Sequence, residues 1–233
     1  MEKTSCKLPL ICIRRHPNET SELISQMLYG ESCTVLETEK DYSKISMDFD
    51  ATEGWVVSSS LKKEGNSVRS VIQTPFSFVQ TKEGRYLLSM GAEIGAGSPV
   101  PPLPATPESV VETAQSFLNA PYLYGGRSFF GLDAPALVQL VYKIHGIALP
   151  RFAEGQSECG EALNFLEECV GGEVAFFENE NGDIIHAGIM LGGQKIIHSF
   201  GKVRIDDIDT IGIFNGELNK HTHRLRFIKS ILL

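Results

Sequence analysis

Residues 121–150 read PYLYGGRSFFGLDAPALVQLVYKIHGIALP, and this stretch decides how the second half of the chain folds. Its first part is rich in glycine, which favours a loop because glycine adopts backbone conformations that other residues resist. Asp133 is a good helix N-cap, and Pro135 falls in the first helical turn, where its missing N–H costs nothing. Apolar residues then recur at helical spacing as far as Gly146, a typical residue just past a helix end. The pattern predicts a loop that leads into a buried helix over residues 133–145.

The start of that helix is a place where chemistry is expected. A helix N-terminus directs its unpaired N–H groups and its positive dipole end at whatever binds there. A cysteine in such a place has a lowered thiol pKa and is present as the reactive thiolate. The chain has Ala134 at this position.

The same stretch resembles the nucleophile motif of the NlpC/P60 family of cell-wall cysteine peptidases, which typically reads close to PYLWGGRSPFGIDCSGLVQLVYK. Ala134 stands where that family has its catalytic cysteine, and Pro135 and Ala136 stand where a serine and a glycine follow. The resemblance implies a family site with an intact helix start and a lost nucleophile. It also implies that Tyr124 and Pro135 belong to the ligand pocket.

Two strand histidines extend the resemblance. His186, in GDIIHAGIML, is similar to the catalytic-histidine motif of the family, and His198, in KIIHSFGKVRID, to the polar residue that orients it. The two strands are joined by a two-glycine turn, so both side chains can lie on one face of a sheet. A strand histidine by itself is more often a packing or surface residue. Two histidines in two matching motifs, behind a matching loop and helix, favour catalytic positions, and the resemblance spans residues 107–231.

Further ligand-binding residues are implied by the resemblance. Asp133 corresponds to a residue that binds the substrate amine in relatives that cleave free-amine muropeptides, although a plain N-cap explains it equally well. Arg151 matches the arginine of the family segment LPRDASQQ. That segment reads LPRFAEGQ here, so Phe152 replaces an acid and Glu154 a serine. The remaining histidines are interpreted as ordinary surface or helix-end residues, namely His16, His145, His221 and His223.

Composition limits the function classes. With 42% hydrophobic residues, the 233-residue chain can bury a substantial core, and its formal net charge of −8 argues against nucleic acid as a partner. The five cysteines are odd in number and form no CxxC pair, which favours free thiols in a reducing compartment over disulfides. We predict no metal site and no cofactor. No export signal or membrane span is apparent, which predicts a cytoplasmic protein as written, or a periplasmic or extracellular one if a signal has been removed.

The N-terminal part predicts a small β-barrel. Short strands separated by turns fill residues 6–62, and their order resembles a bacterial SH3 domain: an early R-x-x-P, a G-E turn, a D-Y-S-K-I strand and a closing E-G-W-V. Two strand-like runs around Lys82-Glu83-Gly84 predict a hairpin, and a proline-rich tract from Pro99 to Pro107 predicts a domain boundary.

The second domain is predicted to consist of helices followed by an antiparallel meander. The predicted helices cover about 107–119, 133–145 and 154–168, and the predicted strands 173–177, 184–191, 195–200 and 224–233. The predicted fold class is therefore α+β: an SH3-like barrel at 1–64, a hairpin and linker at 65–105, and a papain-like NlpC/P60 domain at 106–233 whose helices pack on the sheet.

Two functional hypotheses follow. The first is a non-catalytic protein that binds a peptidoglycan-derived peptide or a protein partner through the remnant cleft. The second is an active γ-D-glutamyl-L-diamino-acid endopeptidase in which the cysteine has been exchanged deliberately. A single engineered exchange would leave its neighbours alone, whereas Pro135, Ala136, Phe152 and Glu154 also depart from the family pattern, which favours natural loss. Nothing in the sequence directs Cys159 or Cys169 at His186 as a substitute nucleophile.

Overall fold

The structure, a computed structural model, describes residues 2–63, 69–95 and 98–232. The chain divides into two compact units: Met1–Pro102 with Leu123–Leu132, and Leu103–Tyr122 with Asp133–Leu233. The glycine-rich loop thus belongs to the first unit and the helix that follows it to the second. The predicted boundary between residues 64 and 65 lies outside the described residues.

The first unit contains short strands across the predicted region 6–62, and one further strand, Glu2–Cys6, that was not predicted. Seven of them form one antiparallel sheet in the order β3-β2-β6-β5-β4-β1-β7. The strands are β1 (Glu2–Cys6), β2 (Leu10–Arg14), β3 (Leu23–Leu28), β4 (Ser32–Glu39), β5 (Tyr42–Met47), β6 (Glu53–Val57) and β7 (Leu61–Lys63). Alternation along β2 and β5 places Ile11, Ile13 and Ile45 in a core that also contains Met27 and Val56.

Smaller sheets complete this unit. Strands β9 (Phe76–Thr81) and β10 (Gly84–Ser89) form the predicted hairpin, and β8 (Arg69–Val71) pairs with β11 (Glu93–Gly95). In the glycine-rich loop, β12 (Arg127–Ser128) pairs with β13 (Gly131–Leu132). Gly125 has φ of +73°, and a Cβ there would lie 2.2 Å from the carbonyl oxygen of Leu23, so this position requires glycine.

The described residues of the second unit contain α1 (Pro107–Gln115), α2 (Ala134–Ile144) and α3 (Ala153–Ser157). Thr106 caps α1 as predicted, since its side chain accepts a hydrogen bond from the Ser109 N–H. The prediction of a third helix over 154–168 was wrong beyond its first turn. Gly160 has φ of +73°, which a helix does not accommodate, and the apolar Phe165 within the predicted range is 65% exposed.

A second seven-stranded antiparallel sheet forms most of this unit, in the order β14-β20-β15-β16-β17-β18-β19, and β20 also pairs with β19 so that the sheet closes on itself. Its strands are β14 (Glu161–Leu163), β15 (Val174–Glu178), β16 (Ile184–Gly192), β17 (Lys195–Phe200), β18 (Lys202–Ile208), β19 (Gly212–Asn215) and β20 (Lys220–Ser230). The predictions of β15, β16 and β17 are confirmed. The last strand begins before its predicted start, and β18 and β19 were not predicted.

The described residues are mostly β-structure with few helices, so the predicted α+β class is only roughly supported. Helix α2 packs against β16 and β17, the strands that carry His186 and His198. None of the helices among the described residues has the length and apolar character needed to span a bilayer.

Candidate functional site

Helix α2 is held at both ends as its sequence predicts. Asp133 caps its start, because Oδ1 accepts a hydrogen bond of 3.0 Å from the Ala136 N–H. At its end the Ile147 N–H donates to the Tyr142 carbonyl across Gly146, whose φ is +77°. Ala134 is the first residue of the helix and is buried. The N-cap role of Asp133, one of the two alternatives, is confirmed.

The Asp133 carboxylate also forms a buried ion pair with Arg151. The guanidinium donates from Nη1 to Oδ1 at 2.8 Å and from Nη2 to Oδ2 at 2.7 Å. The Arg151 side chain is 1% exposed and that of Asp133 11%. This bidentate ion pair joins the start of α2 to the segment before α3. It also neutralises the Asp133 carboxylate, which the resemblance predicts to bind an amine of the ligand.

A hydrogen-bonded chain of side chains crosses β16, β17 and β18. Nε2 of His186 lies 2.9 Å from Nδ1 of His198, and Nε2 of His198 lies 3.1 Å from Oδ2 of Asp206. A carboxylate only accepts, so Nε2 of His198 carries its proton and Nδ1 accepts from Nε2 of His186. The lone pair of His186 is then on Nδ1. Arg204 holds the carboxylate in turn, with donors at 2.8 and 3.0 Å.

Burial keeps these imidazoles neutral. Desolvation lowers the pKa of His186 well below its usual value, and the neighbouring His223 and His198 lower it further. Desolvation also lowers the pKa of His198, although the hydrogen bond to Asp206 opposes the shift. Burial alone would raise the pKa of Asp206, but its hydrogen bonds with His198 and Arg204 bring it below the usual range. A neutral imidazole whose tautomer is set by a carboxylate can act as a proton acceptor.

His223 was predicted to be an ordinary residue, and that prediction was wrong. It lies on β20 with its ring stacked on His186, at 4.0 Å between centroids and 24° between planes. Its ring is also 5.6 Å from that of His198. Burial, and next the charge of His198, lower the pKa of His223 to about 4. The His223 imidazole therefore belongs to the same cluster as the two predicted histidines.

The other predicted pocket residues are spread over both units. Pro135 lies in the first turn of α2, and its carbonyl accepts a hydrogen bond from Gln156. Phe152 is the N-cap residue of α3 and is 50% exposed, with the Arg151 guanidinium 5.5 Å from its ring centre. Tyr124 belongs to the first unit and is 64% exposed. The ligand-binding roles of these residues, and the catalytic ones of His186 and His198, stay predictions.

The cysteines of the second unit are poor candidates for an attacking group. Burial, followed by the charges of three glutamates, raises the pKa of Cys169 to about 12, so its thiolate is scarce near neutral pH. The thiol of Cys159 lies 3.7 Å from the Gly155 carbonyl within α3.

Of three further site residues, Asp206 and Gly188 carried signals in the sequence and His223 did not. Asp206 pairs with Ile196 across the β17–β18 hairpin, which places it diagonally next to His198 on the same face. Gly188, two residues after His186, leaves room for His198, since a Cβ there would lie 3.0 Å from the Cβ of His198. These two follow from hairpin register. His223 does not, because β20 joins the cluster only when the sheet closes.

Comparison with known proteins gives two matched regions. Residues 119–221 match a family model described as the NlpC/P60 family, and residues 13–61 match one described as the bacterial dipeptidyl-peptidase SH3 domain. The chain is 36% identical over 103 residues to a gamma-D-glutamyl-L-lysine dipeptidyl-peptidase of Bacillus subtilis, covering 43% of this chain and 34% of that protein. It is 34% identical over 100 residues to the protein of that name from Bacillus cereus, covering 42% and 29%.

Thus the chain spans about a third of the length of the curated relatives it matches. Among solved structures, an NlpC/P60 family protein from Bacillus cereus ATCC 10987 superposes with a TM-score of 0.84 at 17% identity, covering 99% of this chain and 100% of that one. A likeness at this identity concerns the fold.

Proposed function

We propose that this chain, which carries an NlpC/P60 domain and a bacterial SH3 domain, is a non-catalytic binding protein on the scaffold of cell-wall cysteine peptidases. The observation that carries the proposal is Ala134 at the first position of α2, directly after the Asp133 cap. Its methyl group has no lone pair and no proton to lose. The helix that presents it packs on the strands of His186 and His198.

The cost of such a substitution is large. In a hydrolase whose nucleophile and base act as a unit, removing the nucleophile lowers turnover by roughly 10⁶-fold and leaves only binding and charge stabilisation. The elevated thiol pKa of Cys169 argues against its replacing the missing group. His186 would then have no partner to deprotonate.

Neighbouring departures support natural loss of catalysis. Pro135 and Ala136 follow Ala134, and Phe152 and Glu154 stand in the segment that Arg151 joins to the helix start. Both regions form the pocket in the family that the sequence resembles. An apolar, half-exposed ring at 152 in place of an acid makes this part of the surface less polar.

The proposed ligand is a peptide of the peptidoglycan stem, containing a γ-D-glutamyl-diamino-acid unit, or a protein partner that uses the same surface. Two relatives support the peptide, since both are gamma-D-glutamyl-L-lysine dipeptidyl-peptidases. The Asp133 carboxylate is already paired with Arg151. An amine of the ligand must therefore join or displace that pair, so a free-amine end adds less affinity here than at an unpaired carboxylate.

A second candidate is an active γ-D-glutamyl peptidase in which the cysteine has been exchanged for Ala134. One observation favours it: the His186–His198–Asp206 chain keeps the hydrogen bonds that hold a base in one tautomer. Under this candidate the remaining machinery works as soon as sulfur returns.

The test is Ala134→Cys, assayed for cleavage of L-Ala-γ-D-Glu-diamino-acid peptides, with Ala134→Cys/His186→Ala as the matched control. We expect no turnover from Ala134→Cys alone, and turnover only after Pro135→Ser, Ala136→Gly and Phe152→Asp are added. Robust His186-dependent turnover from the single variant would overturn the proposal in favour of the second candidate. So would hydrolysis by the unmodified chain.

Binding is tested separately by calorimetric titration of the unmodified chain with the same peptides. We expect saturable heat that Phe152→Asp alters. A flat trace would remove the peptide ligand and leave the protein-partner version, which co-purification from the source cell would then examine.

A further inference from the structure

Three histidines of the second unit lie close enough together to share one ligand, a property that the proposed peptide binding does not require. One ring nitrogen from each of His186, His198 and His223 lies within 4.8 Å of the others. The three residues come from β16, β17 and β20, so the closed sheet holds their backbones in place. Two of the rings are buried and the third is half-buried.

We propose that His186, His198 and His223 form a binding site for a divalent transition-metal cation of the Zn²⁺ class. Imidazole nitrogen is a preferred ligand for such cations, whereas Mg²⁺ and Ca²⁺ require oxygen ligands. With Zn–N distances of about 2.0–2.1 Å, nitrogens on a tetrahedral ion lie roughly 3.4 Å apart. The His186 and His198 nitrogens are 2.9 Å apart and all three nitrogens lie within 4.8 Å, so the His223 ring, which is stacked on His186, must tilt to direct its nitrogen at an ion shared with the other two.

The surroundings of His198 match those of a metal-binding histidine. Its Nε2–H faces the carboxylate of Asp206, which leaves Nδ1 as the nitrogen with a lone pair. Arg204 fixes the carboxylate from the other side. A cation on Nδ1 takes the place of the Nε2 proton of His186. That proton moves to Nδ1 of the same ring, so His186 stays neutral and no net proton is released.

His223 is the member of the cluster that borders a surface cavity. This residue lines a surface cavity of about 300 Å³ together with Ile185, Thr222 and Arg224. The Thr222 hydroxyl lies 2.9 Å from Nδ1 of His223, which engages one nitrogen of this ring. On the inner side the ring contacts Phe177, a fully buried core residue. The cluster thus borders the surface at His223 and contacts apolar structure at Phe177.

Neutral imidazoles are the form that binds a cation, and burial lowers the pKa of all three. Metal binding at these three side chains does not depend on which peptide or protein the chain binds.

The experiment uses the whole chain after treatment with EDTA and removal of the chelator, titrated with Zn²⁺ alone. We expect one equivalent to bind. His223→Phe keeps the ring stack and removes one ligand, and we expect it to weaken binding by at least about 100-fold. The matched control is His221→Phe, two residues away on β20 and paired with Asp209, which should change affinity by less than about 3-fold. Equal affinities in the unmodified chain and His223→Phe, or equal losses in both variants, would overturn the proposal.

A second measurement needs no variant. Imidazole ¹⁵N resonances of the unmodified protein should respond to one equivalent of Zn²⁺ at the three cluster histidines, and those of His16, His145 and His221 should not. Asp206→Asn should weaken binding by about 10–100-fold, as expected for a partner of a ligand. The absence of a one-to-one response at the cluster, or a uniform response of all histidines, would refute the site even if His223→Phe failed to fold.

Discussion

Replacing Arg151 by methionine should destabilise the second unit strongly. Methionine keeps most of the apolar volume of the side chain but leaves the Asp133 carboxylate without its two hydrogen bonds of 2.8 and 2.7 Å. The carboxylate cannot turn outward without cost, because its Oδ1 also caps α2. Removing one partner of a buried ion pair costs about 3–5 kcal/mol, since the other charge stays buried.

The magnitude follows from the burial of the pair. The Arg151 side chain is 1% exposed, so solvent does not screen the interaction. We expect a loss of about 4 kcal/mol in the free energy of unfolding. For a chain of 233 residues this corresponds to a fall in Tm of roughly 8–16 °C.

The assay is urea unfolding followed by far-UV circular dichroism, with Asp133→Asn and the double variant measured beside Arg151→Met. An asparagine can still cap α2. Asp133→Asn/Arg151→Met should therefore recover more than half of the loss, which isolates the unpaired charge as its cause.

The matched control is Lys195→Met, which removes a cation from the exposed pair Lys195–Asp207 of the same unit. That change should alter stability by less than about 1 kcal/mol. Two results would refute the reasoning that a solvent-excluded ion pair joins the start of α2 to the segment before α3. One is a loss of stability below about 1.5 kcal/mol for Arg151→Met, and the other is a double variant that is less stable than Arg151→Met alone.

Two other predictions concern the site and its thiols. Gly188→Ala should displace Ile196 and His198, because the new Cβ would lie 2.7 Å from the Ile196 Cδ1 and 3.0 Å from the His198 Cβ; we expect a loss of about 1–3 kcal/mol and a shift of the His198 imidazole resonances, whereas Gly216→Ala, in open space, should leave both unchanged. Cys169, whose pKa is about 12, should be alkylated by iodoacetamide at pH 8 much more slowly than Cys12, as followed by peptide mass spectrometry; equal rates would contradict the buried, acid-flanked environment of its sulfur.

Local patterns were sufficient for the elements nearest the site. The cap at Asp133, the apolar period of α2 and the glycine after it produce a helix whose bounds, Ala134–Ile144, lie within one residue of the prediction. The hairpin between β16 and β17 was predicted, but its turn is Gly193-Gln194, and a bulge between Met190 and Gly192, which was not predicted, sets the register that places His186 and His198 on one face. The same reasoning failed for residues 154–168, where helical spacing of apolar residues occurs without a surface to bury them.

The sequence by itself determined which chemical groups stand at the helix start and on β16 and β17, because spacing and turn type act over a few residues. Only the tertiary structure decided which groups those side chains meet. Arg151 reaches Asp133, and His223 stacks on His186, across chain separations that no local period encodes. The closure of β20 onto β19 and the burial that removes water from the imidazoles are properties of the packed chain. Burial, more than residue identity, makes the ion pair costly to break and the histidines neutral.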